Sequence, residues 1–298
     1  MTPHEYDFLR RFLKDRSGLT LSADKQYLVE SRLLPVMRKH HVSSFGDLAV
    51  QLRLHPGSLL ATAVVEAMMT NESYFFRDKT PFELFKASLV PALTVGRARE
   101  KNLRIWCAAC STGQEPYSLA MLLKTMNLSG WKIEILATDI GNDVLDKARA
   151  GLYTQFEVQR GLPIHELVKH FTQVGDHWQL AADIRAMVTF KQFNLLDDVA
   201  SLGVFDVIFC RNVLIYFDQA TKTSVFNRII RSVAADGYLV LGAAETVVGL
   251  TDAFKPLPEH RGIYVPKLAT VEAPPLAPKA PAKATAMPMP RVIIGGKR

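Results

Sequence analysis

The sequence has few cysteines and no long apolar run. Cys107, Cys110 and Cys210 lie in apolar, strand-like surroundings, which is typical of thiols in a reducing compartment and excludes a disulfide framework. No stretch of about 18 uninterrupted apolar residues is present, and residues 1–11 show no secretory pattern. We therefore predict a cytoplasmic monomer that does not insert into a membrane.

The body of the chain also lacks a strong charge. The formal net charge is +7, but the residues after position 266 contain six basic side chains and one acidic side chain, which together contribute +5. The rest is nearly neutral and does not interleave basic and aromatic residues, which disfavours nucleic-acid binding. Residues 267–298 are rich in Pro, Ala and Lys, and we predict a disordered tail there.

The first 90 residues carry only helical signals. Thr2-Pro3-His4-Glu5 is a capping box with proline at the first helical position, and Gly18 predicts the end of that helix. A second start signal, Thr80-Pro81-Phe82-Glu83, predicts a helix to about Val90. Other helices are predicted over residues 24–40, 45–53 and 57–68. We assign residues 1–90 to an all-helical domain with a linker.

From residue 91 onward, apolar strands alternate with amphipathic helices. This pattern predicts an α/β domain with a parallel sheet covered on both faces, and right-handed crossovers make it doubly wound and Rossmann-like over residues 91–266. The predicted strands cover residues 103–109, 132–138, 205–209 and 238–241, and the predicted helices cover residues 115–126, 142–150 and 219–233.

The alternation is interrupted after the second of these helices. His177–Leu180 and residues 187–193 have strand patterns near a turn at Gly175-Asp176. We predict a small antiparallel β insertion over about residues 170–192.

Three segments are expected to meet at the carboxyl edge of the sheet, where open α/β sheets bind ligands. Residues 108–116 form a turn of small residues with one glycine and no GxGxxG phosphate cradle. Asp139 ends the next strand, where acidic side chains bind ribose, and Phe193-Asn194-Leu195 suits an adenine ring. An adenosine site without a pyrophosphate cradle favours S-adenosylmethionine over NAD. Glu115 either complements the helix dipole or attracts the cofactor's positive charge.

Four motifs resemble, in order, those of the CheR family of chemotaxis receptor methyltransferases. Ser73 stands where that family usually has threonine, and Gln114 replaces a common glutamate. The resemblance covers residues 1–265, and its motifs are TNESYFFRD at 70–78, ACSTGQEPYS at 109–118, ATDI at 137–140 and CRNVLIYF at 210–217.

The resemblance implies a helical domain that closes over a Rossmann-like methyltransferase domain and esterifies chemoreceptor glutamates. Arg77 and Tyr216 would reach the reacting end and act in catalysis. The alternatives are a surface pair between Arg77 and Asp78 and a core position for Tyr216. The residues implied to line the cofactor are Asn71, Ser73, Arg77, Glu115, Asp139, Asn194, Leu195, Arg211 and Asn212.

A basic stripe is predicted on the second helix. Lys25, Arg32 and Lys39 recur every seven residues, with Arg38 beside them and a kink at Pro35. We predict that they recognise an acidic receptor helix, and a solvated helix face is the alternative. Some family members bind a receptor's C-terminal pentapeptide through the β insertion, but the short turn near Gly175 argues against such tethering here.

Other functions stay open at this point. Cys107 and Cys110, with Cys210 on a neighbouring strand, invite a metal site, but no fourth ligand is evident and we predict none. The remaining alternatives are a methyltransferase of another substrate and a non-catalytic receptor-array module that binds S-adenosylmethionine.

Overall fold

The computed structural model describes residues 1–267, so the predicted tail lies outside the described residues from position 268 onward. In the N-terminal region, the capping box at Thr2 and the left-handed C-cap at Gly18 confirm the predicted bounds of the first helix. Apolar faces of the first four helices share one core. These helices are α1 (Pro3–Ser17), α2 (Gln26–Lys39), α3 (Phe45–Leu54) and α4 (Leu59–Met68).

No single helix among residues 1–267 combines the length and the apolar character that a membrane crossing requires. Taken together, α3 and α4 meet those limits, but they are bent by 119° at the break between them.

A second helical segment joins the two domains. It comprises α5 (Thr80–Leu84), a π-helical stretch and α6 (Val90–Gly96), so it extends beyond the predicted end at Val90. The predicted cap at Thr80 is wrong, because Lys79 occupies the cap position with a φ of +49° and Thr80 already lies inside the helix.

The second domain is built on a seven-stranded sheet with the order β6-β2-β1-β7-β8-β10-β9. Its first five strands are parallel, which confirms the doubly wound prediction, whereas β10 and β9 form an antiparallel edge that was not predicted. The strands of the chain are β1 (Asn102–Ala108), β2 (Lys132–Asp139), β3 (Leu152–Thr154), β4 (Phe171–Val174), β5 (His177–Leu180), β6 (Val188–Gln192), β7 (Phe205–Cys210), β8 (Val233–Leu241), β9 (Phe254–Pro256) and β10 (Ile263–Pro266).

Both faces of this sheet are buried. Ile105 and Cys107 of β1 face one apolar cluster, whereas Trp106 and Ala108 face another, as the two-residue period of a strand requires. The domain's helices are α7 (Gln114–Thr125), α8 (Asn142–Ala150), α9 (Gln155–Gln159), α10 (Ile164–His170), α11 (Ala182–Arg185) and α12 (Gln219–Ile229).

The β insertion is a separate antiparallel sheet with the order β3-β5-β4. Strands β4 and β5 flank the predicted turn at Gly175-Asp176. Assigning residues 187–193 to this insertion was wrong, because β6 pairs with β2 in the large sheet, with Phe190 opposite Ala137. The third strand of the insertion is β3, which is only three residues long.

Candidate active site

A cavity lies at the carboxyl ends of β1, β2, β6 and β7, beneath the N-terminal helices. It encloses about 990 Å³ of space that includes open solvent at its mouth. The structure brings all ten predicted cofactor and catalytic residues into its walls. They are Asn71, Ser73, Arg77, Glu115, Asp139, Asn194, Leu195, Arg211, Asn212 and Tyr216.

The backbone is left-handed at the strand ends that face this cavity. Ala109 and Ser111 follow β1 with φ of +60° and +50°, and Asn212 follows β7 with φ of +59°. Such values are uncommon outside glycine and persist only where neighbouring groups hold them. At Gly113, with φ of +91°, a Cβ atom would lie 2.9 Å from that of Ala148, so this turn requires glycine.

Asp139 holds the loop after β1. Its Oδ2 accepts a hydrogen bond from Ser111 N at 2.8 Å, and its Oδ1 accepts one from Gly141 N at 3.1 Å. Burial raises the pKa of the Asp139 carboxyl above its ordinary value. Each oxygen keeps a second lone pair, so the residue that shapes the loop can also accept from a ribose hydroxyl.

Arg211 connects three segments of the cavity wall. Its Nη1 donates to Glu115 Oε2 at 2.7 Å, and its Nη2 donates to Asp78 Oδ2 at 2.8 Å and to the Arg77 carbonyl at 2.9 Å. Burial raises the pKa of Glu115, and Arg211 opposes that rise. Because Asp78 pairs with Arg211, the alternative of a surface pair between Asp78 and Arg77 is wrong.

The linker between the domains covers one side of the cavity. Arg77 Nη1 donates to the Glu72 carbonyl at 2.7 Å, and its guanidinium lies 5.4 Å from the centre of the Tyr74 ring. The linker is attached to the sheet domain where Ser111 Oγ donates to the Asn71 carbonyl at 3.1 Å. Arg77 is therefore half-buried in the wall, not free on the surface.

Tyr216 ends the 3-10 turn Leu214–Tyr216, directly after β7. It is half-buried and lines the cavity, so it is not a fully enclosed core aromatic. The N-terminal domain holds its backbone, since Thr20 N donates to the Tyr216 carbonyl at 2.9 Å and Leu19 forms an antiparallel bridge with Phe217.

Apolar side chains shape the end of the cavity near β6. Leu195, Ile140 and Phe193 line this part of the wall. Asn194 Nδ2 donates to the Arg16 carbonyl at 2.7 Å, and Asn194 Oδ1 accepts from Leu196 N at 3.0 Å. This amide therefore attaches the loop after β6 to the end of α1.

Sequence reasoning missed several residues at this site. Ser17 and Leu19 line the cavity from the segment that follows α1, and only their position beside Gly18 could have indicated it. Glu245 lies behind the wall and accepts hydrogen bonds from the backbone of residues 212–214. No local sequence pattern points to such a contact.

The predicted basic stripe is only partly available to a substrate. Arg32 is half-buried and donates to the carbonyls of Met68 and Met69, at 2.8 and 3.1 Å, so including it in a free stripe was wrong. Lys25 pairs with the neighbouring Asp24 at 3.3 Å. The side chains of Arg38 and Lys39 are exposed at the end of α2.

All three cysteines are buried free thiols. Burial raises the pKa of each well above its ordinary value, which makes them poor thiolate ligands. Within residues 1–267, no group of three or more His, Cys, Asp or Glu side chains is arranged to hold a metal ion.

Two family models match consecutive parts of the sequence. The all-alpha domain of CheR methyltransferases matches residues 4–69, and their SAM binding domain matches residues 71–263. The chain belongs to the CheR methyltransferase family. It is accordingly a methyltransferase of bacterial chemotaxis that uses S-adenosylmethionine as methyl donor.

Similar proteins from several bacteria are matched over most of their length. Chemotaxis protein methyltransferase Cher2 of Pseudomonas putida is 40% identical over 257 residues, which cover 84% of this chain and 93% of that protein. Chemotaxis protein methyltransferase 1 of Pseudomonas aeruginosa is 41% identical with the same coverage. The chemotaxis protein methyltransferase of Salmonella typhimurium is 32% identical over 250 residues, with coverage of 82% and 84%.

The cavity walls fit this methyl donor. Glu115 and Asp139 place two carboxylates in the cavity wall, which suit a cationic ligand, and Leu195 adds an apolar surface that suits a flat base. Arg211 Nε is buried without a hydrogen-bond partner among residues 1–267.

Proposed function

We propose that this chain transfers the methyl group of S-adenosylmethionine to glutamate side chains on the cytoplasmic helices of chemoreceptors. The products are glutamate methyl esters and S-adenosylhomocysteine. The observation that carries the proposal is the placement of Arg77 and Tyr216, a cation and a hydroxyl donor, in the same cavity as Glu115 and Asp139. A site with both kinds of group can bind a cationic donor and an anionic acceptor together.

The acceptor requires no general base. A glutamate side chain has a pKa of about 4.3, so it is already ionised at neutral pH. The bound donor supplies an electrophilic methyl group on a sulfonium ion. The protein must orient and partly desolvate a weak nucleophile, and positioning alone can lower the barrier by on the order of 7 kcal/mol. Arg77 would bind one carboxylate oxygen and Tyr216 would donate to it, which leaves the other oxygen to attack.

Opposite charges divide the cavity between the two reactants. Glu115 and Asp139 attract the cationic donor, whereas Arg77 attracts the acceptor carboxylate. Arg211 lies between them and holds Glu115 in place through its 2.7 Å hydrogen bond. We propose that the chain acts as a monomer.

We further propose that Arg38 and Lys39 recognise the acidic receptor helix. Both are exposed at the end of α2, whose Arg32 is attached to the residues that lead into the cavity linker. Reversing both charges with Arg38→Glu and Lys39→Glu should raise KM for receptor about tenfold at low salt and leave kcat unchanged.

The control for this change is Lys255→Glu, which reverses an exposed charge on the edge strand β9. It should not alter KM. An unchanged KM in the Arg38 and Lys39 variant at low ionic strength would contradict the assignment.

The central experiment measures transfer of tritium from labelled S-adenosylmethionine into receptor-containing membranes. The expected result is base-labile label on receptors, incorporated about 100-fold more slowly by an Arg77→Ala variant. Label on another acceptor would indicate a methyltransferase of a different substrate, and cofactor binding without transfer would indicate a binding module. Sedimentation of the protein with the same membranes tests our further proposal that it is recruited to receptor arrays.

A further inference from the structure

A single buried carboxylate organises the segment that follows β7. Glu245 Oε1 accepts from Val213 N at 3.0 Å and Leu214 N at 2.8 Å, and Oε2 accepts from Asn212 N and Gly242 N, both at 2.8 Å. The residue is 9% exposed. One side chain thus satisfies three consecutive amides that have left the sheet ladder, together with a fourth at the end of β8.

This arrangement resembles an anion bound in a concave backbone turn. Hydrogen bonds to an ionised acceptor are stronger than those between neutral groups. Among residues 1–267, no basic side chain forms an ion pair with Glu245, so the amide donors are its hydrogen-bonding partners. A Cβ atom at Gly242 would lie 2.7 Å from Oε2, so a larger residue at this position would displace the Glu245 carboxylate.

The segment that Glu245 holds is part of the cavity wall. Asn212 has a φ of +59°, which a non-glycine residue keeps only when its surroundings hold it. The 3-10 turn that begins at Leu214 ends at Tyr216, and both Asn212 and Tyr216 line the cavity. Thr20 N holds the Tyr216 carbonyl from the opposite side at 2.9 Å.

We propose that Glu245 is a positioning residue for methyl transfer. It fixes Asn212 and, through the turn at Leu214, sets where the hydroxyl of Tyr216 lies in the cavity wall. The inference rests on the proposed function, because it assigns Tyr216 to the acceptor carboxylate. Glu245 itself does not line the cavity and acts only through the backbone that it holds.

A matched control exists at the amino end of β7, the strand whose carboxyl end leads into the segment that Glu245 holds. Asp206 is also buried, accepts from Arg104 N at 2.6 Å and pairs with Arg97, but it lies at the amino end of β7, away from the cavity. Loss of either carboxylate should lower the melting temperature. Only loss of Glu245 should alter catalysis.

The kinetic test compares Glu245→Gln with Asp206→Asn. A Gln side chain presents an NH₂ group to two of the four amides, so kcat should fall at least tenfold. The Kd for S-adenosylhomocysteine should rise by a smaller factor than kcat falls, because the linker, Glu115 and Asp139 still hold the ligand when Asn212 is no longer fixed. Asp206→Asn should keep kcat within twofold. An unchanged kcat in Glu245→Gln would overturn the proposal.

A second variant separates positioning from general damage. In a Tyr216→Phe background, adding Glu245→Gln should lower kcat by less than a further factor of about two. The hydroxyl that Glu245 positions is already absent from that background. An equal loss in both backgrounds would overturn the proposal. Glu245→Asp keeps the charge on a shorter side chain and should give a kcat between those of the parent and the Gln variant. It can be measured even if the Gln variant does not fold.

Hydrogen exchange tests the same contact without any methyl acceptor. Glu245→Gln should speed amide exchange about tenfold at residues 212–214 and 242, while Asp206→Asn should not. If the parent protein methylates no receptor, the proposed glutamate acceptor is refuted. Faster exchange in Glu245→Gln would still support the role of Glu245 in holding this segment. Unchanged exchange would refute the role of Glu245 whatever the acceptor.

Discussion

The two ends of the central sheet use charged side chains differently. At the amino end, Arg104 forms a two-point pair with Glu134, both contacts at 3.0 Å, and Arg97 pairs with Asp206 and Asp236. At the carboxyl end, charged groups face a cavity on strained backbone, and Arg211 Nε has no partner among residues 1–267. Charges that satisfy one another stabilise a fold, whereas charges with spare hydrogen-bonding capacity can bind a ligand.

Among substitutions that test this difference between the two ends, Arg77→Ala at the carboxyl end should have the largest effect on kcat. It removes the cation that we assign to the acceptor carboxylate, so kcat should fall about 100-fold, equivalent to roughly 2.7 kcal/mol. Initial rates of ester formation measure kcat, and calorimetry measures the Kd for S-adenosylhomocysteine. Arg77→Lys, which keeps the charge without the planar fork, should recover part of the rate. Full activity in the Ala variant would remove Arg77 from the mechanism.

The reverse test is Arg97→Ala at the amino end. It leaves the buried Asp206 without its cation, so the free energy of unfolding should fall by about 2 kcal/mol, less than for a wholly buried pair because Arg97 is 16% exposed. Urea denaturation gives this value. The kcat should stay within twofold of the parent, and a large loss of kcat would show that the two ends are not independent.

Glu115→Gln should weaken binding of S-adenosylmethionine about tenfold, since it removes a charged partner from the cationic ligand. Burial raises the pKa of Glu115, so the parent should lose affinity as pH falls from 7 towards that raised pKa and the carboxylate becomes neutral. Calorimetry across this pH range checks both points. The Gln variant should show a flatter profile, and parallel profiles would assign the pH dependence to another group.

The smallest effect should come from an exposed ion pair at the carboxyl end. Lys14 bonds to Asp218 at 2.7 Å and, together with hydrogen bonds from Thr221, lowers the pKa of Asp218 from 3.8 to about 2. This contribution is fully present above pH 3.8 and is lost as pH falls towards 2. Lys14→Ala should lower the melting temperature by no more than about 2 °C at pH 7, and the difference from the parent should shrink in acid. Lys222→Ala is a surface control.

The sequence was sufficient to locate the ligand site because parallel strands end at one edge of a sheet. Asp139 ends an apolar strand of the alternating pattern, so its place at the ligand site required only the topology, whereas Asn194 follows β6, whose sheet the pattern did not identify. The resemblance supplied the linker residues such as Arg77, which no periodic pattern would have selected.

The sequence-based predictions were wrong where the structure depends on which distant strand or backbone group a residue contacts, since a local sequence pattern does not identify that contact. A two-residue period identifies β6 as a strand but does not say which sheet it joins. Arg32 fits a seven-residue basic stripe, yet its donors bind the carbonyls of Met68 and Met69. Glu245 binds four backbone amides, and backbone amides carry no residue-specific signal in a sequence.

The bridge between Leu19 and Phe217 has a consequence for how such enzymes diversify. Through it, and through the adjoining contact of Thr20 with Tyr216, the helical region completes the pocket of the other domain. A chimaera that exchanged the helical region for that of a relative would have to preserve these backbone contacts between the two domains to remain active. If α2 recognises the receptor, as we propose, receptor preference and turnover are inherited together, and new specificities should arise by substitution on exposed helix faces and not by recombination of whole domains.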